Sequence, residues 1–258
     1  MMNGIHVEDR GAARWLILDR PDCRNALDPT ALPALTEAIR SARDARVLVL
    51  AGRNGAFCSG ADLRYAMASG PALFEALEGY LANFQGVLRA LVEAPQPTVA
   101  VVDGPAYGFG CDLALACDLR VGSQRAYFQE GFVRIGLIPD GGGTWMLPRL
   151  VGLSKAMELM LLGDKLTAED AYRLGLMARL VAPDALDAAA AEVIAKLEAG
   201  PPIALRHIRR LAREGLHKDF VTAYEDEGRA QLECLRSADC IEGVTAFFEK
   251  RAPAFTGA

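Results

Sequence analysis

The chain has 258 residues, 52% of them apolar, and a formal charge of −5 at neutral pH. That suits one sizeable core, with or without a small appendage. The acidic balance, with no basic block, argues against nucleic-acid partners held through phosphates, and no apolar run reaches the roughly 18 residues of a membrane span. Met1-Met2-Asn3-Gly4 lacks the basic and apolar regions of a signal peptide, and the six cysteines lack paired metal-site spacing. Reduced, buried thiols in a cytoplasmic setting are the natural reading.

Strands are expected around Ile5–Glu8 and Ala13–Asp19, then a helix from Pro29 to Ser41 and a buried strand over 47–50. A glycine turn follows, Arg53-Asn54-Gly55-Ala56-Phe57-Cys58-Ser59-Gly60-Ala61-Asp62-Leu63. The spacing of Leu77, Tyr80, Leu81, Phe84 and Leu88 predicts a long helix, with Ala66–Pro71 before it as a flexible loop. Strand 98–102 enters a second turn, Asp103-Gly104-Pro105-Ala106-Tyr107-Gly108-Phe109-Gly110, and a short helix at 111–116. Another strand is expected at Leu119–Gly122. Alternating strands and helices imply an α/β core with mainly parallel pairing. Beyond Pro148 the pattern is helical: Leu153–Leu162 ended at Gly163, a helix capped by Thr167 with Asp170 at its third position and Gly175 at its end, then Leu186–Leu197, Pro202–Arg213, Phe220–Leu235 and Cys240–Lys250, the last capped by Asp239.

Each glycine turn joins a strand to a segment whose first N–H groups lack intrahelical partners. Two such turns can converge on one oxygen and form an oxyanion hole. Asp112 and Asp140 follow as candidate acids or bases. Histidine chemistry is a poor fit, since His6 sits in the first strand and His207 and His217 flank a basic helix. Gly141-Gly142-Gly143-Thr144 lacks the lysine of a phosphate-binding loop, and no Gly-x-Gly-x-x-Gly opens a nucleotide-binding unit.

The two turns, together with Pro21-Asp22-Cys23-Arg24-Asn25-Ala26-Leu27, Gly136-Leu137-Ile138-Pro139-Asp140-Gly141-Gly142-Gly143-Thr144 and Leu147-Pro148-Arg149-Leu150-Val151-Gly152, resemble the enoyl-CoA hydratase/isomerase family, the crotonases, over nearly the whole chain. The resemblance implies a spiral of ββα units over residues 1–195, a C-terminal helical region over 196–258 that serves assembly and the coenzyme A site, and homotrimers or hexamers. It implies an acyl-coenzyme A thioester as substrate and no redox or metal cofactor. Carried over by position, the oxyanion donors are the N–H groups of Cys58 and Phe109, and the Phe109 side chain should narrow the acyl pocket. Arg24 should approach the nucleotide phosphates. Ala26, Ala61, Asp62 and Leu63 should line the coenzyme A site, completed by Phe247 and Lys250.

Family hydratases use two glutamates. The first falls on Asp112 and the second on Phe132, which cannot carry a proton. Glu130 lies two residues away, an offset that changes its direction. Asp140, in a place that also suits a helix N-cap, resembles the acid/base of dienoyl-CoA and ring-type isomerases, and its surroundings look most like the phenylacetate-pathway branch. The expectation is therefore a double-bond isomerase, with Asp140 as principal acid/base and Asp112 assisting. A hydratase using a displaced acid and a non-catalytic acyl-CoA-binding protein are the alternatives.

Overall fold

A computed structural model describes residues 3–70 and 75–258. Strands β1 (Ile5–Arg10) and β2 (Ala13–Leu18) form an antiparallel hairpin. From β2 onward the sheet is parallel, through β3 (Val47–Gly52), β4 (Thr98–Val102), β6 (Leu119–Ser123) and β9 (Arg179–Val181). Both faces of this sheet are covered, which explains the unbroken apolar runs of β3 and β4. Leu16, Leu48, Leu50, Ala100 and Val102 face one core, against helices Ala31–Arg40, Leu77–Val92 and Phe109–Ala116. Trp15, Ile17, Val49, Val99 and Val101, offset by one, face the other. There helix Leu186–Glu198 contributes Leu186, Ala190, Val193 and Ile194. That helix runs through position 195, so the expected division between 195 and 196 falls inside an element of the core.

A small second sheet, β5 (Pro105–Tyr107), β7 (Tyr127–Gln129) and β8 (Leu166–Thr167), stands beside the first. It brings the two glycine turns together. Cys58 and Ala106 form a parallel bridge, in which Phe57 and Cys58 donate to the Pro105 carbonyl at 3.1 and 2.9 Å and Tyr107 donates back to Cys58 at 3.0 Å. A Cβ on Gly104 would overlap the Gly55 carbonyl oxygen, and one on Gly110 would overlap that of Cys58. Glycine is required at both places because two backbones cross in contact.

Of the C-terminal helices, Pro202–Glu214 is tied to the sheet end through Asp118, and Phe220–Leu235 and then Ala238–Glu249 pack on in turn. The Asp118 carboxylate accepts from Arg209 at 2.6 Å, Arg213 at 2.7 Å and the Thr98 N–H at 2.8 Å. Among the described residues no helix is long and apolar enough to cross a membrane.

Several local expectations change. Ala66–Ser69 belongs to helix Leu63–Ser69, because the Asp62 carboxylate caps it by accepting from Arg64 and Tyr65 at 3.1 and 3.2 Å; Pro71 lies outside the described residues. The short helix opens at Phe109, two residues early. Ser237, not Asp239, caps the last helix, and Asp239 instead holds the tail by accepting from Thr256 at 2.7 Å. At Thr167 the expected cap is present, its hydroxyl accepting from the Asp170 N–H at 3.2 Å.

Gly110→Ala should cost about 3 kcal/mol or more, since the new methyl meets backbone that cannot yield locally. Urea denaturation of the variant checks this. An unchanged midpoint would show that the crossing of the turns is not tightly packed.

Candidate active site

A cavity of about 510 Å³ opens beneath helix Leu77–Val92, walled mainly by apolar side chains and by the backbone of both turns. Phe84 and Phe109 meet edge to face at 4.6 Å, and Phe132, only 8% exposed, closes the wall near Gly108. Phe109 thus takes part in shaping the cavity with its ring while its N–H opens the helix behind. As first residue of that helix, this N–H has no intrahelical acceptor.

The second expected donor requires correction. The Cys58 N–H is committed to the Pro105 carbonyl in the bridge between the turns, and the Cys58 thiol is fully buried, its pKa pushed up to about 12 by desolvation. Two residues on, Gly60 turns the chain with φ +86°. Its carbonyl accepts from Leu27 and the Asp62 N–H is donated to Leu27, while the Ala61 N–H between them has no partner among the described residues. A Cβ on Gly60 would lie 3.1 Å from the Phe109 nitrogen, so the two turns meet there. Ala61 and Phe109, both in the cavity wall, therefore have backbone donors to spare where the two turns meet. Ala61 was legible in the sequence only as part of a ligand wall; the left-handed glycine just before it was the available signal.

A second cavity of about 340 Å³ shares Ser59, Ala61, Leu63 and Tyr107 with the first, and brings together Arg24, Ala26, Ala61, Asp62 and Leu63. Arg24 is exposed and has no carboxylate partner among the described residues. The Asp62 side chain is occupied by its cap, so it offers the site little beyond its place in the wall. Phe247 and Lys250 line neither cavity; Phe247 is 78% exposed on the last helix.

The acids separate by environment. Among the described residues, Asp140 is the one carboxylate in the wall of the larger cavity. It is not an N-cap: helix Gly143–Val151 is preceded by Gly142, and no side chain caps it. Asp140 Oδ1 is buried without a partner. Burial raises its pKa above the ordinary aspartate value, opposed by its own backbone N–H. Asp112 is fully buried and outside the cavity wall. Its Oδ2 accepts from the Gly141 N–H at 3.0 Å, fixing the backbone next to Asp140. Burial, then the charge of Glu130, holds Asp112 well above the usual carboxylate range. Glu130, set aside in the sequence as misdirected, is 2% exposed and has no partner for either oxygen. An acid inside the run from Tyr127 to Phe132 was the signal that could have found it. Among the described residues no group of His, Cys, Asp or Glu has metal-holding geometry.

Comparison with known proteins agrees with this architecture. The family model described as "Enoyl-CoA hydratase/isomerase" matches residues 12–258. The chain is 41% identical over 243 residues to the Rhodobacter capsulatus protein named "Probable enoyl-CoA hydratase", covering 94% of this chain and 93% of that one. It is 36% identical over 259 residues to the 1,2-epoxyphenylacetyl-CoA isomerase of Escherichia coli K12, covering 98% and 97%. The crystal structure of an enoyl-CoA hydratase from Bacillus anthracis superposes with a TM-score of 0.94 at 30% identity, over 99% of this chain and 100% of that one. The fold is the crotonase fold, a spiral of ββα units with a C-terminal helical bundle, and the molecule is an enzyme. The chain belongs to the enoyl-CoA hydratase/isomerase family.

Asp112→Asn keeps an oxygen for the Gly141 N–H and removes a buried ionisable group, so its stability should equal or exceed that of the parent. Asp112→Ala leaves that N–H without an acceptor and should cost about 1–3 kcal/mol. Denaturation of both variants checks this, and equal losses would contradict an acceptor role.

Proposed function

We propose that this enzyme shifts a double bond within an acyl-CoA thioester, by way of an enolate, with Asp140 carrying the proton. Its substrates are acyl-CoA thioesters. The observation that carries the reading is the cavity itself: apolar walls, two unspent N–H groups at one end, and a single carboxylate.

The thioester oxygen is held by the N–H groups of Ala61 and Phe109. Asp140 removes a proton beside the carbonyl, the C–H electrons move into the new C=C bond, and the carbonyl electrons collect on oxygen. Two fixed donors, one at a helix N-terminus, stabilise that charge more than the neutral carbonyl. Asp140 then returns the proton to the far end of the allylic system, the electrons return, and the thioester is restored with its double bond moved. Nothing is gained or lost. Burial suits Asp140 to both steps, because a raised pKa lets the carboxyl accept a proton readily and give it back. Phe132 contributes an apolar wall where a water-activating acid would stand. Asp112 supports the reaction from behind by holding Gly141.

A ring-derived acyl group is the finer reading, supported by the aromatic wall and by the similarity to the Escherichia coli isomerase. The name of the Rhodobacter capsulatus relative supports a second reading, hydration with Asp140 as a displaced acid. Mass distinguishes them, since isomerisation preserves it and hydration adds water. We further place coenzyme A along the second cavity, its phosphates toward Arg24, with Phe247 and Lys250 completing the site from a neighbouring subunit of a homotrimer or hexamer. Phe220, Ile241, Phe247 and Phe248, each at least 68% exposed, form the apolar surface such an assembly would cover.

Asp140→Asn should lower turnover by roughly 10²–10⁴ while thioester binding is retained. In the parent, kcat/KM should fall toward acid with its midpoint above about 4, since only the ionised carboxyl can begin the reaction. A panel of enoyl-CoA substrates in ¹⁸O water, followed by mass and NMR, should give products of unchanged mass; efficient oxygen incorporation would favour hydration instead. Near-normal turnover by D140N would remove Asp140 as the proton carrier.

Removing residues 240–258 should weaken both assembly and thioester affinity, read by sedimentation and calorimetry. A full-length monomer that binds coenzyme A normally would contradict the shared site.

A further inference from the structure

Glu130 is a buried acid that the proton-transfer scheme leaves idle. It follows β7, and neither carboxyl oxygen has a hydrogen-bond partner. Asp112 stands opposite, with Oδ1 equally unpartnered. A Cβ on Gly143 would overlap Asp112 Oδ1 and press on Glu130 Oε1 at 3.2 Å, so both idle oxygens border the one space that a side chain there would fill.

Among the described residues the surroundings supply no counter-charge. Behind Glu130 lies a small apolar cavity walled by Leu115, Phe128, Leu147 and Leu159. From helix Phe109–Ala116 the Cys111 thiol and Asp112 face it, and from the loop before helix Gly143–Val151 comes Asp140. Arg134 is turned outward, donating to the Gly163 carbonyl and to Asp164, both at 3.0 Å. On helix Leu153–Leu162, Lys155 is paired with Glu158 at 2.7 Å. Two carboxylates facing each other in a dry site without a cation cannot both stay charged.

We propose that Glu130 and Asp112 hold one proton between them across Gly143, and that this proton keeps Asp140 in position. With the proton shared between the two carboxyls, Asp112 still accepts from the Gly141 N–H through Oδ2. Loss of the proton sets two anions against each other and pulls Asp112 off Gly141, the residue next to Asp140. Glu130 is thus a positioning residue that acts through Asp112. Its electrostatics agree: burial raises Glu130 to about 7, eased by the Cys111 thiol and reinforced by Asp140. The positioning role rests on Asp140 as proton carrier; the shared proton does not.

The test uses the full-length protein and Glu130→Gln (E130Q). An acid whose folded pKa exceeds its unfolded 4.5 loses stability as pH rises from that value to about 7, then no further. The melting temperature of the parent should therefore fall by roughly 5 °C or more across that window, and E130Q should not share this fall. Infrared difference spectra of the parent should show a buried protonated-carboxyl C=O band that disappears on raising the pH through about 7 and is missing in E130Q. Neither readout needs a substrate, so failure of the isomerase reading leaves them intact. A parent melting temperature flat over the window, or the same band and titration in E130Q, would overturn the shared proton. The parent spectra decide the matter even if E130Q does not fold. For the positioning role, kcat of the parent should decline above about pH 7 with KM little changed, and E130Q should lose that decline; coincident profiles would refute it.

Discussion

The parallel bridge between Cys58 and Ala106 is the constraint on which the site depends. It pins the two strand-ending turns to each other and consumes the N–H groups of Phe57, Cys58 and Tyr107 in doing so. What it leaves unspent, the N–H groups of Ala61 and Phe109, is thereby placed on one cavity wall. Crossing of this kind demands that side chains be absent at the contact, which is why Gly104 and Gly110 sit directly against carbonyl oxygens of the other turn. The parallel sheet behind, covered on both faces, gives these turns a rigid base. Donors fixed in this way need no reorganisation when charge develops on a ligand oxygen.

A second layer of organisation concerns the acids. Asp140 faces the cavity, Asp112 lies behind it and Glu130 lies behind both, so carboxyls close in space differ sharply in access. Gly141 and Gly143 make this possible, since a side chain at either would collide with Asp112. The Asp112–Gly141 hydrogen bond links the buried acids to the one in the cavity wall. One consequence is that charge in the interior and geometry in the cavity cannot be changed independently.

Much of the fold was legible because its signals are strong: continuous apolar strands, a 3.6-residue period in the C-terminal half, and glycines where the chain turns. Mainly parallel pairing and the turn-to-helix connections followed from these. Element ends were less legible, because caps compete. Ser237 and Asp239 both suit an N-cap, and only the folded tail, which needs an acceptor for Thr256, shows why Asp239 serves elsewhere. In the site, position along the motif pointed to Cys58, yet which N–H is spent depends on pairing with a distant strand. Glu130 was set aside for the same reason, since its direction depends on how β7 meets the helix holding Asp112. Phe247 and Lys250 line neither cavity of the chain, so the part proposed for them depends on a neighbouring subunit.

The central claim is that the Ala61 and Phe109 N–H groups polarise a thioester carbonyl. It is tested most directly by ¹³C NMR of a carbonyl-labelled enoyl-CoA bound to the D140N protein, where binding proceeds without turnover. The account predicts a clear downfield displacement of the bound carbonyl resonance relative to the free thioester. Saturable binding with an unshifted resonance would contradict it.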